Sequence, residues 1–229
     1  MNIIYLHGYG SSGQSNTVEL LRKSLPDHYH VEAPDIPVDP VEALPYLKKL
    51  CADCQSPIII GTSLGGMYAQ QLTDALFRIC VNPAFHISEQ PEILKTGTFD
   101  FFQPRKDGQT QFTITEEIIG HYREMERHQF DHWRADNREN ILCMGLFGNH
   151  DTTVNCREEF QSHYQNVQLF EGEHRMNNKI LKKVLLPIVG RLEDYCREAE
   201  QAGESDNLKQ FIIEKELLRC SQLSVNEND

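Results

Sequence analysis

The chain has 229 residues, 39% of them hydrophobic, with 34 acidic against 22 basic side chains and a net charge of −12. That length fits one domain with an appendage better than two domains, and no apolar run approaches the ~20 residues of a membrane-spanning helix. The acidity disfavours a nucleic-acid partner, whose phosphates call for a concentrated basic surface.

Met1 to Leu6 runs straight into a strand-like segment with no charged leader or cleavage site. Seven cysteines, an odd number scattered along the chain, default to free thiols, and together these features place the expected location in the cytoplasm. Asn2 to Leu6 is the first expected strand, followed by a Gly/Ser loop and a helix from about Ser15 to Leu25. His30 to Ala33 is a second strand, and Pro40 opens a helix ending near Cys51. Cys51 and Cys54 form a C-x-x-C at the end of that helix, where thioredoxin-like motifs open one. No second C-x-x-C accompanies it, so half-buried thiols are the plainer reading and no metal or cofactor is expected.

Pro57 to Ile60 is apolar throughout, as suits a strand buried on both faces. Leu64 to Leu76 reads as a helix and Arg78 to Val81 as a fourth strand stopped by Asn82-Pro83. From about 83 to 140 the strand-helix rhythm breaks; no strand pattern convinces there, and Thr115 to Trp133 has helical spacing. Alternation resumes with a strand over Ile141 to Phe147, a helix near Arg157 to His163, a strand over Val167 to Phe170 and a helix from Lys179 to about Arg197. The pattern predicts a doubly wound α/β domain over residues 1–200, its six parallel strands in the order 2-1-3-4-5-6, with an insert or cap over 83–140 after strand four. Residues 201–229 are a polar, acidic extension in which Leu208 to Leu218 could form one more amphipathic helix.

Strand three ends in Gly61-Thr62-Ser63-Leu64-Gly65, a G-x-S-x-G that follows an apolar strand and opens a helix. In that context the serine hydroxyl stands above the sheet as a nucleophile; the plainer alternative is a glycine-rich turn that cradles phosphate. A nucleophilic serine needs a base and an orienting acid, which in this arrangement follow in the order Ser, Asp, His. Asp151 lies just after strand five and His174 just after strand six. His150 is a competing base, and Glu171 and Glu173 are competing acids. An oxyanion would be met by the backbone N–H groups of Leu64 and of Tyr9 or Gly10, in the His7-Gly8-Tyr9-Gly10 loop, with His7 a structural residue beneath it. The insert carries Phe101, Phe102 and Trp133, which either pack it onto the sheet or line a pocket for an acyl chain.

Ile4-Tyr5-Leu6-His7-Gly8-Tyr9-Gly10-Ser11-Ser12, Gly61 to Gly66, Val81-Asn82-Pro83-Ala84 and Glu171-Gly172-Glu173-His174 together resemble the YqiA-like esterase family of compact bacterial α/β hydrolases. The resemblance spans residues 1 to about 197 and implies a six-stranded core, a Ser63–Asp151–His174 triad and hydrolysis of a small-molecule acyl ester or thioester. The long insert and the tail depart from it. The same triad on an amide, a carbon–carbon bond or an acyl transfer, and a non-catalytic binding protein on this scaffold, are the alternative functions.

Overall fold

A computed structural model describes residues 1–226. Six parallel strands form the central sheet: β1 (Asn2–Leu6), β2 (His30–Glu32), β3 (Ile58–Thr62), β4 (Phe77–Val81), β7 (Cys143–Gly148) and β8 (Asn166–Phe170). Their spatial order is β2-β1-β3-β4-β7-β8. Two further strands, β5 (Gly97–Asp100) and β6 (Gln111–Ile114), pair antiparallel within the insert, which corrects the expectation that the insert holds no strand.

Alternation along each strand splits the core in two. Ile4, Leu6, Ile59, Cys80 and Cys143 face one layer, built from α2 (Pro40–Asp53), α3 (Leu64–Gln70), α5 (Arg157–His163) and the insert helix α4 (Glu116–His128). Ile3, Tyr5, Ile58, Ile60, Ile79 and Met144 face the other, built from α1 (Asn16–Ser24), α7 (Leu186–Ala202) and α8 (Leu208–Asn226). Covering both faces is what lets strands such as Ile58-Ile59-Ile60 be apolar throughout.

Several element ends differ from the sequence pattern for identifiable reasons. α3 stops at Gln70 rather than Leu76, because Phe77 must already lie opposite Ile58 in the sheet. The helix expected from Lys179 begins as a short turn, α6 (Asn178–Ile180), and passes through a π-helical turn, Leu181–Leu185, before α7. Pro187, at the start of α7, has no N–H to give to the preceding turn, and a widened turn accommodates such a gap. α7 ends at Gly203, whose φ of 74° lets its N–H and that of Glu204 close on the carbonyls of Glu200 and Ala199. α8 then lays Ile212 and Ile213 into the second core layer and buries Glu216 between Arg191 and Arg219.

The connection of the hairpin docks on the loops after β1 and β2. The Phe102 N–H donates to Gly10 O at 2.8 Å, Arg105 Nη1 to Ile36 O at 2.9 Å, and the Lys106 N–H to Asp35 Oδ2 at 2.7 Å. Among the described residues, no helix is long and apolar enough to cross a membrane.

Candidate active site

Ser63 stands between β3 and α3 with φ 54° and ψ −121°, a left-handed conformation that L-residues adopt rarely. The backbone is pinned there: the Ser63 N–H donates to Val81 O at 3.0 Å, and Ser63 O accepts from Gly66 at 2.8 Å and Ala84 at 3.1 Å. A side chain at Gly61 would overlap the carbonyl of Gly65, and one at Gly65 would overlap that of Leu6. Both glycines are therefore required for α3 to lie this close to β1 and β3.

The loops after the last two strands bring the other two groups to the same edge. His174 Nε2 lies 3.0 Å from Ser63 Oγ, and His174 Nδ1 lies 2.7 Å from Asp151 Oδ2. Asp151 Oδ1 accepts the N–H groups of Thr153 and Val154 at 2.8 and 3.1 Å, so both carboxylate oxygens are engaged. The Asp151 side chain is 5% exposed and that of His174 17%. An ionised carboxylate can only accept, so Nδ1 carries the proton and Nε2 is left to accept from the serine hydroxyl.

The competing groups pair with each other elsewhere. His150 Nε2 meets Glu171 Oε1 at 2.6 Å and Asn149 Nδ2 donates to Glu171 Oε2 at 2.7 Å, on an exposed surface. Glu173 is exposed, and its backbone carbonyl is used by Asn82.

Asn82 is a residue whose part in the site the sequence reading missed. Buried at the end of β4 with φ 42°, it donates through Nδ2 to Glu173 O at 3.1 Å and His174 O at 2.9 Å. Its Oδ1 accepts the Gly148 N–H at 2.8 Å. One amide thereby fixes the loop that carries His174 to the strand that leads to Asp151. The only signal in the sequence was an Asn-Pro turn at a strand's carboxyl end, and such a turn is compatible with many roles.

The loop after β1 lies beside Ser63: a Cβ on Gly8 would come within 3.3 Å of Ser63 Cβ. Leu64 is the first residue of α3, so its N–H has no partner within the helix. His7 is buried beneath the loop, Nε2 accepting the Ile36 N–H at 3.1 Å and Nδ1 facing Gly8 O at 2.9 Å. Burial pushes its pKa down to about 4, so it stays neutral.

Ser63 and His174 open into a cavity of about 550 Å³. Ile87, Ile93, Phe102, Val154 and Met176 give it apolar walls. Of the three aromatics singled out in the insert, only Phe102 lines it. Phe101 is buried against Phe112, their ring centroids 4.7 Å apart. Trp133 donates its indole N–H to His163 O at 2.6 Å and packs edge-on to that imidazole, outside the cavity wall. Larger hollows between α2 and α4, and between β8 and α8, are lined by neither Ser63 nor His174.

Among the described residues, no group of three or more His, Cys, Asp or Glu side chains is placed to hold a metal ion. Cys51 is buried in the last turn of α2 and burial pushes its thiol up to about 11; burial raises Cys54 as well. Both thiols stay protonated near neutral pH, which removes their nucleophilic form.

A parallel sheet in this order, with a left-handed serine at the turn after its third strand, belongs to the α/β-hydrolase class. Within that class the chain is a member of the uncharacterised protein family UPF0227, whose model matches residues 2–186; this is the family its motifs resemble. Solved structures share the fold at low identity. α/β-Hydrolase domain-containing protein 10 from mouse is 18% identical, with a TM-score of 0.57 over 84% of this chain and 89% of that one. Est1E from Butyrivibrio proteoclasticus is 13% identical, with a TM-score of 0.55 over 93% and 87%. The monoacylglycerol lipase of Paleococcus ferrophilus is 14% identical, with a TM-score of 0.52 over 92% and 94%.

Proposed function

We propose that the protein is a serine hydrolase that cleaves carboxylic esters or thioesters of small molecules through an acyl-serine intermediate. The observation that carries this reading is the continuous hydrogen-bonded chain Ser63–His174–Asp151, at 3.0 and 2.7 Å, opening into a cavity with apolar walls. Ser63 Oγ attacks the acyl carbonyl while His174 Nε2 takes its proton. Asp151 holds the imidazole in the required tautomer and stabilises the imidazolium that forms. The backbone N–H groups of Leu64 and Tyr9, with Gly10 next in the loop, meet the developing oxyanion. His174 then protonates the departing alcohol or thiol, and a water molecule activated by the same imidazole releases the acid.

A fluorophosphonate probe tests the reading directly. It should label Ser63 in the wild type, and Ser63→Ala should lose both labelling and ester turnover while its melting temperature stays nearly unchanged. Turnover at the wild-type rate in Ser63→Ala would refute the assignment.

A further inference from the structure

One end of the cavity differs from the rest. Ser15, Asn16 and Thr17, the N-cap and first two residues of α1, line it, and so does Arg175. The Ser15 side chain does not cap its helix; its Oγ is shielded from solvent and has no hydrogen-bond partner among the described residues. The Ser15 side chain thus leaves the first N–H groups of α1 uncapped, at the positive end of the helix dipole. The one acidic residue of the first turn, Glu19, lies outside the cavity wall and pairs with Lys23.

Arg175, an exposed residue on the lining of the cavity, adds a full charge. Its guanidinium carbon lies 5.8 Å from the centroid of the Phe102 ring, and among the described residues it makes no ion pair. In a chain with 34 acidic side chains, none lines this cavity; Asp151 is screened from it behind His174. A positive charge at the lining of a cavity with no acidic side chain among its described residues would repel a cationic substrate. It suits a negative group such as a carboxylate, whose two oxygens the planar guanidinium of Arg175 can meet with two hydrogen bonds.

We infer that the cavity recognises esters that carry a carboxylate on the arm remote from the scissile bond, drawn there by Arg175 with the N-terminus of α1 beside it. The inference rests on the hydrolase reading of the same site and names its substrate class.

Matched substrate pairs test it. Monoethyl adipate against ethyl hexanoate places the charge on the acyl side; 6-acetoxyhexanoate against hexyl acetate places it on the alcohol side. In one of the two arms the anion should have a kcat/KM roughly tenfold higher than its neutral partner, mainly through KM, with the ratio shrinking as salt is added. Arg175→Gln should bring that ratio close to one. Lys183→Gln, the same charge change at an exposed site away from the cavity, should leave it intact. Preference for the neutral ester in both arms, or an anion preference that survives Arg175→Gln, would overturn the inference. If no ester is turned over and the fluorophosphonate does not label Ser63, the hydrolase reading fails by itself. Calorimetric titration then decides the anion site: hexanoate binding tighter than neutral hexanamide, with the difference lost in Arg175→Gln, supports it, whereas equal binding of the two overturns it.

Discussion

Asp151 makes three hydrogen bonds from one carboxylate, two to backbone N–H groups and one to His174. Replacing it by Asn separates geometry from charge. The amide nitrogen facing Nδ1 would force the proton onto Nε2, which then points a donor at Ser63 and cannot take its proton. Asp151→Asn should lower kcat on the order of 10⁴-fold while thermal unfolding changes little. Steady-state kinetics with a short-chain ester checks this, and a crippling Glu173→Gln beside a mild Asp151→Asn would reassign the acid. Asn82 works at the same scale with different means, since its amide touches neither Ser63 Oγ nor the imidazole ring and acts by holding the two loops in register.

Among the elements, the insert divides its aromatics between packing and the cavity. Ile93 and Phe102 line the cavity, whereas Trp133 is tied to α5 through His163. Activity should rise with acyl length over several carbons, each buried methylene adding roughly 0.8 kcal/mol. Ile93→Ala should flatten that profile, and Trp133→Ala should lower stability by about 3 kcal/mol while leaving the profile's shape unchanged. Rates across a homologous series of p-nitrophenyl esters, set beside melting curves, distinguish the two.

The strands of the central sheet were legible because Ile58-Ile59-Ile60 and its neighbours are long apolar runs bounded by Gly, Pro and Asn. The hairpin was not. β5 is mostly exposed, β6 buries only Phe112 and Ile114, and a ten-residue connection replaces the short turn that marks most hairpins. The Ser63, Asp151 and His174 positions could be named from strand ends, since each carries a nucleophile, acid or base type in the loop after a strand; the part of Asn82 could not, because its bonds join segments distant in sequence. α8 was foreseen as an amphipathic helix, but its place against the sheet depends on Glu216. That buried carboxylate meets Arg191 Nε at 3.0 Å, Arg219 Nη2 at 2.8 Å and Asn166 Nδ2 at 3.0 Å. Glu216→Ala would leave two guanidinium groups facing a buried void. Both keep some solvent contact, so the loss should fall at the low end of the range for broken buried pairs, about 3 kcal/mol in urea unfolding.

For the whole molecule, the buried imidazole of His7 ties stability to acid. His7 has a pKa of about 4 when folded, because burial disfavours its charged form, against an ordinary value near 6.5. Above the unfolded value both states are neutral and stability does not depend on this group. As the pH falls from about 6.5 towards 4 only the unfolded chain takes up the proton, which removes about 3 kcal/mol of stability. Urea midpoints across that window should fall in the wild type and fall less in His7→Gln, once the smaller stability of the variant at neutral pH is subtracted. Equal slopes in both would assign the acid sensitivity to other groups.

The hydrogen bond from Phe102 to Gly10 O makes the hairpin and the loop after β1, where the proposed oxyanion donors lie, one mechanical part. On the proposed reading, an acyl group wide enough to push the hairpin outward would pull on the strip of backbone that is to receive its own oxyanion. Oversized substrates would then be rejected at the moment of reaction, even where they still bind, so the hairpin serves as a gauge whose reading is taken in turnover. A bulky ester should therefore behave as an inhibitor before it behaves as a poor substrate.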